Sequence, residues 1–411
     1  MPHIQHASDG SQNSNGSSNN RTTAPLTVGL IPAPDMPEQV VDKIRDDLPA
    51  LLHHYVDDRR EWSIDTITDS MIGAEDDTEQ IIDKAETIKN ERHWHYVICI
   101  TDLPMLRNHQ ITVAEASGQR GAAVLSLPAL GTVPMRRRVR EAILQLANEM
   151  HHGSSDQARE RQQSRVEQNR ADYRQYGMQN TDARKLVDRR LMGYISPIER
   201  VTPEQGSVDV RFIAVRRLQA YGQLLSGMVM ANRPWTILPA FKRVVAMAFA
   251  TGVYGLIFPT LWRISDAYDP LRFITLMLCS IVAMMAWITL DHDLWEPRGN
   301  DLELTWLYNI TTLATLFIGV ICYYTTLFVM FYLAVAVFVP DDLLNSTLGH
   351  PATLGSYPAL AWLVTSVATI AGALGSSLES DETVRHATYG YRQKKRHEKI
   401  CEANSKQSET S

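Results

Sequence analysis

Cysteine is scarce, with four residues in a chain of 411. Cys99 sits in an apolar run, Cys279 and Cys322 lie inside long hydrophobic stretches, and Cys401 falls near the end. None has a C-x-x-C neighbour, so zinc-ribbon and thioredoxin chemistry lack their ligand spacing, and a disulfide framework lacks half-cystines. A reducing setting follows for the charged part of the chain. Positive charge is also short. The formal net charge of −6 is opposite to the basic surplus of a dedicated nucleic-acid binder, so no nucleic-acid partner is expected. Glycine-rich phosphate loops are missing too: the first apolar run ends in Pro32-Ala33-Pro34-Asp35, without the glycines that let backbone approach a pyrophosphate. With no G-x-S-x-G and no Cys/His pair in a recognisable context, neither catalytic residues nor a cofactor is expected. Residues 1–25 are rich in Ser, Asn and Gly in place of a basic-then-apolar leader, and they read as a disordered tail.

What is present is an asymmetry. Mean hydropathy of −0.18 hides a chain that is densely charged before Arg243 and after Leu378, and nearly uncharged between them.

The first ordered region spans 26–152. Leu26–Ile31 is a strand-length apolar run. Asp35, followed by Pro37 and Glu38, resembles a capping box, with Val40, Ile44, Leu48 and Leu51 continuing at helical spacing until Pro49 kinks or ends the helix. A strand at Trp62–Ile67 and an amphipathic helix over 76–91 follow. Tyr96–Ile100 reads as a strand buried on both faces, 111–114 as a weaker strand and 122–127 as a stronger one, before a helix from Pro134 onward. Alternation of strands and helices predicts a three-layer α/β domain with a mostly parallel sheet. Residues 153–207 are polar, a linker or solvated helix. Residues 208–235, with Phe212, Val215, Leu218, Leu225 and Met228, suggest an amphipathic helix lying along a membrane surface.

An all-α transmembrane bundle is expected over 244–378. Stretches 244–262, 273–290 and 357–378 are uncharged and close to the length that crosses a hydrocarbon core of about 30 Å. The uncharged run 306–339 would make a helix of roughly 50 Å, read as one span with the polar Tyr308–Thr312 turn outside the lipid. Four spans result. Arg233, Lys242 and Arg243 before the first span and Arg385 to Lys399 after the last place both ends in the cytoplasm, although Arg263 and Arg272 fall on the outer side. Residues 379–411 form a basic tail.

Candidate functional residues are few. Asp102 closes the buried strand at the edge where open α/β sheets place ligands; a turn or cap is the plainer role. Arg136, Arg137, Arg138 and Arg140 open a helix, where cations oppose the macrodipole. Anionic lipid headgroups can compensate them, as they can Arg392, Lys394, Lys395 and Arg396 in the tail; a solvated face is the alternative. Asp291-His292-Asp293 with Glu296 can hold a cation, but a hydrated helix end needs none. Ala368, Gly372 and Ser376 share one face and suit close helix packing. No charge lies at mid-membrane, which argues against a permease.

Two resemblances add to this. Asp291–Glu296, Ser346–Pro351 and Gly372–Glu382 resemble a bacterial multi-pass membrane-protein family without an assigned activity; that implies a bacterial cell membrane. Ile98–Asp102, Val113–Ala116 and Ala123–Leu127 are similar in order to the sheet of metzincin-type peptidases, especially archaemetzincins. The following helix, Arg138–Gln145, lacks the H-E-x-x-H of that family, and His151 and His152 are adjacent, so no zinc ligand carries over. The expectation is a membrane-anchored protein with a cytosolic α/β domain acting as a non-catalytic binding or regulatory module. Its partners are the lipid bilayer, a protein contacting that domain, or a second copy. The rivals are a membrane-tethered enzyme using Asp102 or Glu115, and a permease.

Overall fold

The computed structural model describes residues 25–73, 78–107, 109–132, 134–168, 182–187, 197–203, 208–236, 239, 241–295 and 302–375. Strands β1 (Leu26–Pro32), β2 (Trp62–Thr66), β3 (Tyr96–Thr101), β4 (Met105–Arg107), β5 (Gln110–Ser117), β6 (Ala122–Ser126), β7 (Ile198–Val201) and β8 (Val210–Ala214) form one sheet. Its order is β2-β1-β3-β6-β5-β8-β7, with β4 paired to β5. The sheet is mixed, not mostly parallel. Pairs β1–β2, β1–β3 and β3–β6 are parallel, whereas β5 runs antiparallel to β4, β6 and β8, and β7 antiparallel to β8. Connection length explains the change. A parallel crossover needs a dozen or more residues, and the chain between Ser117 and Ala122 is far too short for one.

Period-2 alternation splits the core into two layers. Ile98, Ile100, Ala123 and Leu125 face the helices α1 (Met36–Asp42), α2 (Leu48–Tyr55) and α4 (Met135–His152). Val97, Cys99 and Val124 face α3 (Thr78–Glu91). Asp35 stands at the N-cap of α1 with φ 73° and makes no side-chain cap bond, and Pro49 falls in the first turn of a separate helix, α2, where its missing N–H costs nothing.

The described parts of the polar stretch 153–207 pack on this domain. Helix α5 (Asp156–Gln168) lies along α2 and α4: Gln162 donates to the Tyr55 carbonyl at 2.9 Å and Arg165 to that of Val56 at 2.8 Å. The buried Arg159 side chain sits 3.4 Å from the buried Glu149, which Arg200 of β7 also grips through both carboxylate oxygens at 3.1 and 3.2 Å. Paired charges of this kind can be buried without an aliphatic surface, which is why hydrophobicity alone did not reveal the packing.

The segment 208–235 is likewise two elements. Val210, Phe212 and Ala214 are buried at strand spacing in β8, and helix α6 runs over Arg217–Ala231 with Leu218 90 % exposed.

The second region is helical: α7 (Lys242–Leu256), α8 (Pro259–Ala267), α9 (Pro270–Asp291), α10 (Leu302–Phe338), α11 (Asp341–Leu348) and α12 (Ser356–Gly375). Helices α9, α10 and α12 are each long and apolar enough to cross a membrane; the pair α7–α8, bent by 91°, makes a fourth if counted as one span. The expected straight span 244–262 therefore breaks. Phe258 is extended ahead of Pro259, which occupies the first turn of α8, because proline disfavours helical backbone in the residue before it. Small residues close the bundle: a Cβ at Gly372 would fall 2.2 Å from the Tyr323 hydroxyl, and one at Gly252 the same distance from the Phe331 ring. Ala368 and Gly372 thus pack as their spacing predicts, while Ser376 lies outside the described residues.

Candidate anion pocket where the two regions meet

Helix α10 has 37 residues, roughly 55 Å at 1.5 Å per residue, longer than a bilayer core. Its first turns belong to the α/β domain. Leu307 and Tyr308 complete that domain's core beside Leu224 and Met228 of α6. Thr311 Oγ1 lies 3.6 Å from Met228 Sδ, and Asn232 donates to Thr315 Oγ1 at 2.9 Å. Tyr221 hydrogen-bonds Glu303, which also pairs with His109 on the β4–β5 turn. The Tyr308–Thr312 segment, expected as a polar turn, is continuous helix, and within it the Thr311 hydroxyl meets Met228 of α6 and the Leu307 carbonyl of the preceding turn.

Helix α6 is held in turn against the loop after β6. Gly227 packs so closely on Pro128 that a Cβ would sit 2.2 Å from its carbonyl oxygen, and Gln223 donates to the Ala129 carbonyl at 2.8 Å. This docking brings the carboxyl end of α6 beside the start of α4 and the end of α1. A cavity of about 450 Å³ opens between them, within the range of roughly 300–1,000 Å³ typical of small-ligand sites. Met36, Gln39, Val40 and Lys43 line it from α1; Thr132, Pro134, Met135 and Arg136 from the entry to α4; Met230, Arg233 and Trp235 from the end of α6. Three cations therefore converge on one cavity, and none of its described lining residues is acidic. Pro134, at the N-cap of the 18-residue α4, is extended and supplies no side-chain cap, so the positive end of that helix dipole adds to the same field. An arrangement of three cations among methionines and an indole suits an anionic group carrying an apolar portion.

No family model, characterised protein or solved structure matches this chain. Neither resemblance raised by the sequence thus gains support from comparison, and the site stands on its own geometry.

The structure divides the arginines that the sequence grouped. Arg136 is exposed and lines the cavity. Arg137 pairs with the buried Glu141 at 3.2 Å. Arg138 is 2 % exposed, donates to the Leu130 carbonyl, and burial pulls its guanidinium below the ordinary value against the opposing pull of Glu141; it cannot meet a headgroup. Arg140 is half-buried and does not line the cavity. Arg392, Lys394, Lys395 and Arg396 lie outside the described residues. Asp102 directly follows β3, but it is 2 % exposed and away from the cavity lining. Glu115 is buried within the antiparallel ladder and paired with Arg211. His292 is buried 3.9 Å from Asp291, and Glu296 is outside the described residues; among the described residues no group of three His, Cys, Asp or Glu side chains converges as metal ligands do. Sequence reading missed Lys43, Arg233 and Trp235 as site residues. The signal available was Arg233-Pro234-Trp235, a cation and an aromatic just ahead of an apolar run.

Proposed function

We propose that this is an integral membrane protein of a bacterial cell membrane, with both ends cytoplasmic, whose α/β domain is a non-catalytic binding or regulatory module mounted on four spans. The observation that carries the reading is α10. One helix supplies core residues to the α/β domain at Leu307 and Tyr308, and further along exposes Phe317, Ile318, Ile321, Val329, Leu333 and Val337 on its outer face. Exposed aliphatic and aromatic side chains repeating along a helix are costly in water and stable in lipid. Leu271, Ile274, Leu278 and Val282 on α9 and Val367, Ile370 and Leu374 on α12 present the same kind of exterior. A ligand on the α/β domain is then mechanically continuous with the bundle, since the domain is packed on a span and not merely strung from it.

The test is fractionation of the full-length chain. Retention in membranes through an alkaline carbonate wash, with release by mild detergent, is the expected result. A dispersed, detergent-free cytosolic species would overturn the reading. Turnover of any added nucleotide, ester or peptide by the detergent-purified chain would overturn its non-catalytic part.

A further inference from the structure

We propose that the cavity between Lys43, Arg136 and Arg233 seats the headgroup of an anionic phospholipid taken from the leaflet beside the α/β domain. The inference rests on the membrane reading above and assigns a ligand class to the cavity.

Charge is the first reason. The three cations come from three separate elements, α1, α4 and the end of α6, and no carboxylate is among the described residues lining the cavity with them. Like charges brought together repel, and a phosphodiester between them reverses the sign of that interaction and accepts charge-assisted hydrogen bonds. Depth is the second reason, and it favours a lipid over a soluble anion. The hydrogen bond from Asn232 to Thr315 sets Arg233 beside the turn of α10 from which the exterior becomes apolar, at Phe317, Ile318 and Ile321. Trp235, 47 % exposed, stands at the lip, the level at which indoles partition into headgroups. Met36, Met135 and Met230 complete the lining; unbranched thioethers adapt to a glycerol backbone and the start of an acyl chain.

Arg233 also supplies a clean test. It has φ 53°, a left-handed conformation that suits glycine and costs other residues roughly 1 kcal/mol or more. Arg233→Gly removes the charge at a position whose backbone suits glycine, and Arg136→Gln, on an exposed side chain, separates loss of binding from loss of fold. Full-length protein in an uncharged detergent is titrated by calorimetry with short-chain phosphatidylglycerol, phosphatidylcholine of the same chain length, and inorganic phosphate. Phosphatidylglycerol is expected to bind saturably, at least about tenfold more tightly than either of the others. Arg136→Gln and Arg233→Gly should each weaken it about fivefold to tenfold, with the melting temperature of the Arg136 variant unchanged. Equal affinity for the two lipids, or wild-type affinity in Arg233→Gly, would overturn the site. Phosphate binding as tightly as phosphatidylglycerol would overturn the lipid as its ligand and assign the cavity to a soluble anion. A chain that needs no detergent fails at fractionation, before any titration, so the two proposals fail in different experiments.

Discussion

Asn232, just past the end of the last helix of the α/β domain, donates its side-chain amide to the hydroxyl of Thr315, two residues before the apolar exterior of α10 begins at Phe317, at 2.9 Å with both residues buried. Thr315 passes its own proton to the Thr311 carbonyl at 2.8 Å, so its oxygen is free to accept. Replacing Thr315 by valine keeps the shape and takes away the acceptor of a buried amide. The expected cost is about 1–3 kcal/mol, read as earlier thermal unfolding and faster proteolysis of the α/β domain in detergent-purified protein. Unchanged protease resistance would show that the tie between the two regions lies elsewhere.

Two glycines of α6 should respond oppositely to alanine. A Cβ at Gly227 meets the Pro128 backbone at 2.2 Å, whereas one at Gly222 meets nothing within 4 Å. Gly227→Ala must push α6 off the loop after β6 and should lose about 1–3 kcal/mol. Gly222→Ala, in an open helical position, should gain roughly 0.5–1 kcal/mol. Melting temperatures of the two variants, measured side by side, check both signs.

Glu149 holds two arginines, Arg159 at 3.4 Å and Arg200 at 3.1 Å, and Arg159 is fully buried with it. Burial pulls Arg159 below its ordinary pKa, with Glu149 opposing and Arg200 adding to the fall. Glu149→Ala leaves two cations facing each other away from water, and the expected destabilisation is about 3–5 kcal/mol. Limited proteolysis should then cut first at α5, whose buried face loses its anchor. If α5 stays as resistant as in the wild type, the pairing does not hold it.

His350 and Asp266 join α8 to the loop after α11 at 2.9 Å, on the side of the helical region away from the α/β domain. The hydrogen bond from the ring to the Asp266 carboxylate, helped by the Pro351 carbonyl, raises the His350 pKa above 6.5. A raised folded-state value means that the protonated ring favours the folded form. The contribution is complete below about pH 6.5 and disappears as pH rises through the folded-state value. The melting-temperature gap between wild type and Asp266→Asn should therefore be widest in mildly acidic buffer and close in alkaline buffer. A gap that widens with pH has the wrong sign for this pair.

Parts of this architecture were readable locally. The strands at 26–32, 96–101 and 122–126 and the helix from Met135 follow from apolar periodicity. The break at Pro259 and the antiparallel return between Ser117 and Ala122 were equally written in the chain, the first by proline sterics and the second by connection length. Neither shows in apolar composition, in which a single proline or a short gap is averaged away. Helix α5 was hidden for a different reason. Its buried face is Arg159, Gln162 and Val166; the carbonyls of Tyr55 and Val56 that it meets are distant in sequence, and Glu149, though close along the chain, reads as a solvated charge because apolar periodicity does not register a buried ion pair.

Sequence alone determined the division of the chain into a charged α/β half and an apolar helical half, because burial in a sheet and exposure to an apolar exterior each leave a repeating local pattern. Tertiary structure alone decided that the two halves share a core at Leu307 and Tyr308, and that Lys43, Arg136 and Arg233 open into a single cavity. Those residues are separated by long stretches of chain. Only docking of α6 on the loop after β6 and on α10 sums their charges in one place, since electrostatic fields depend on distance in space and not on distance along the backbone.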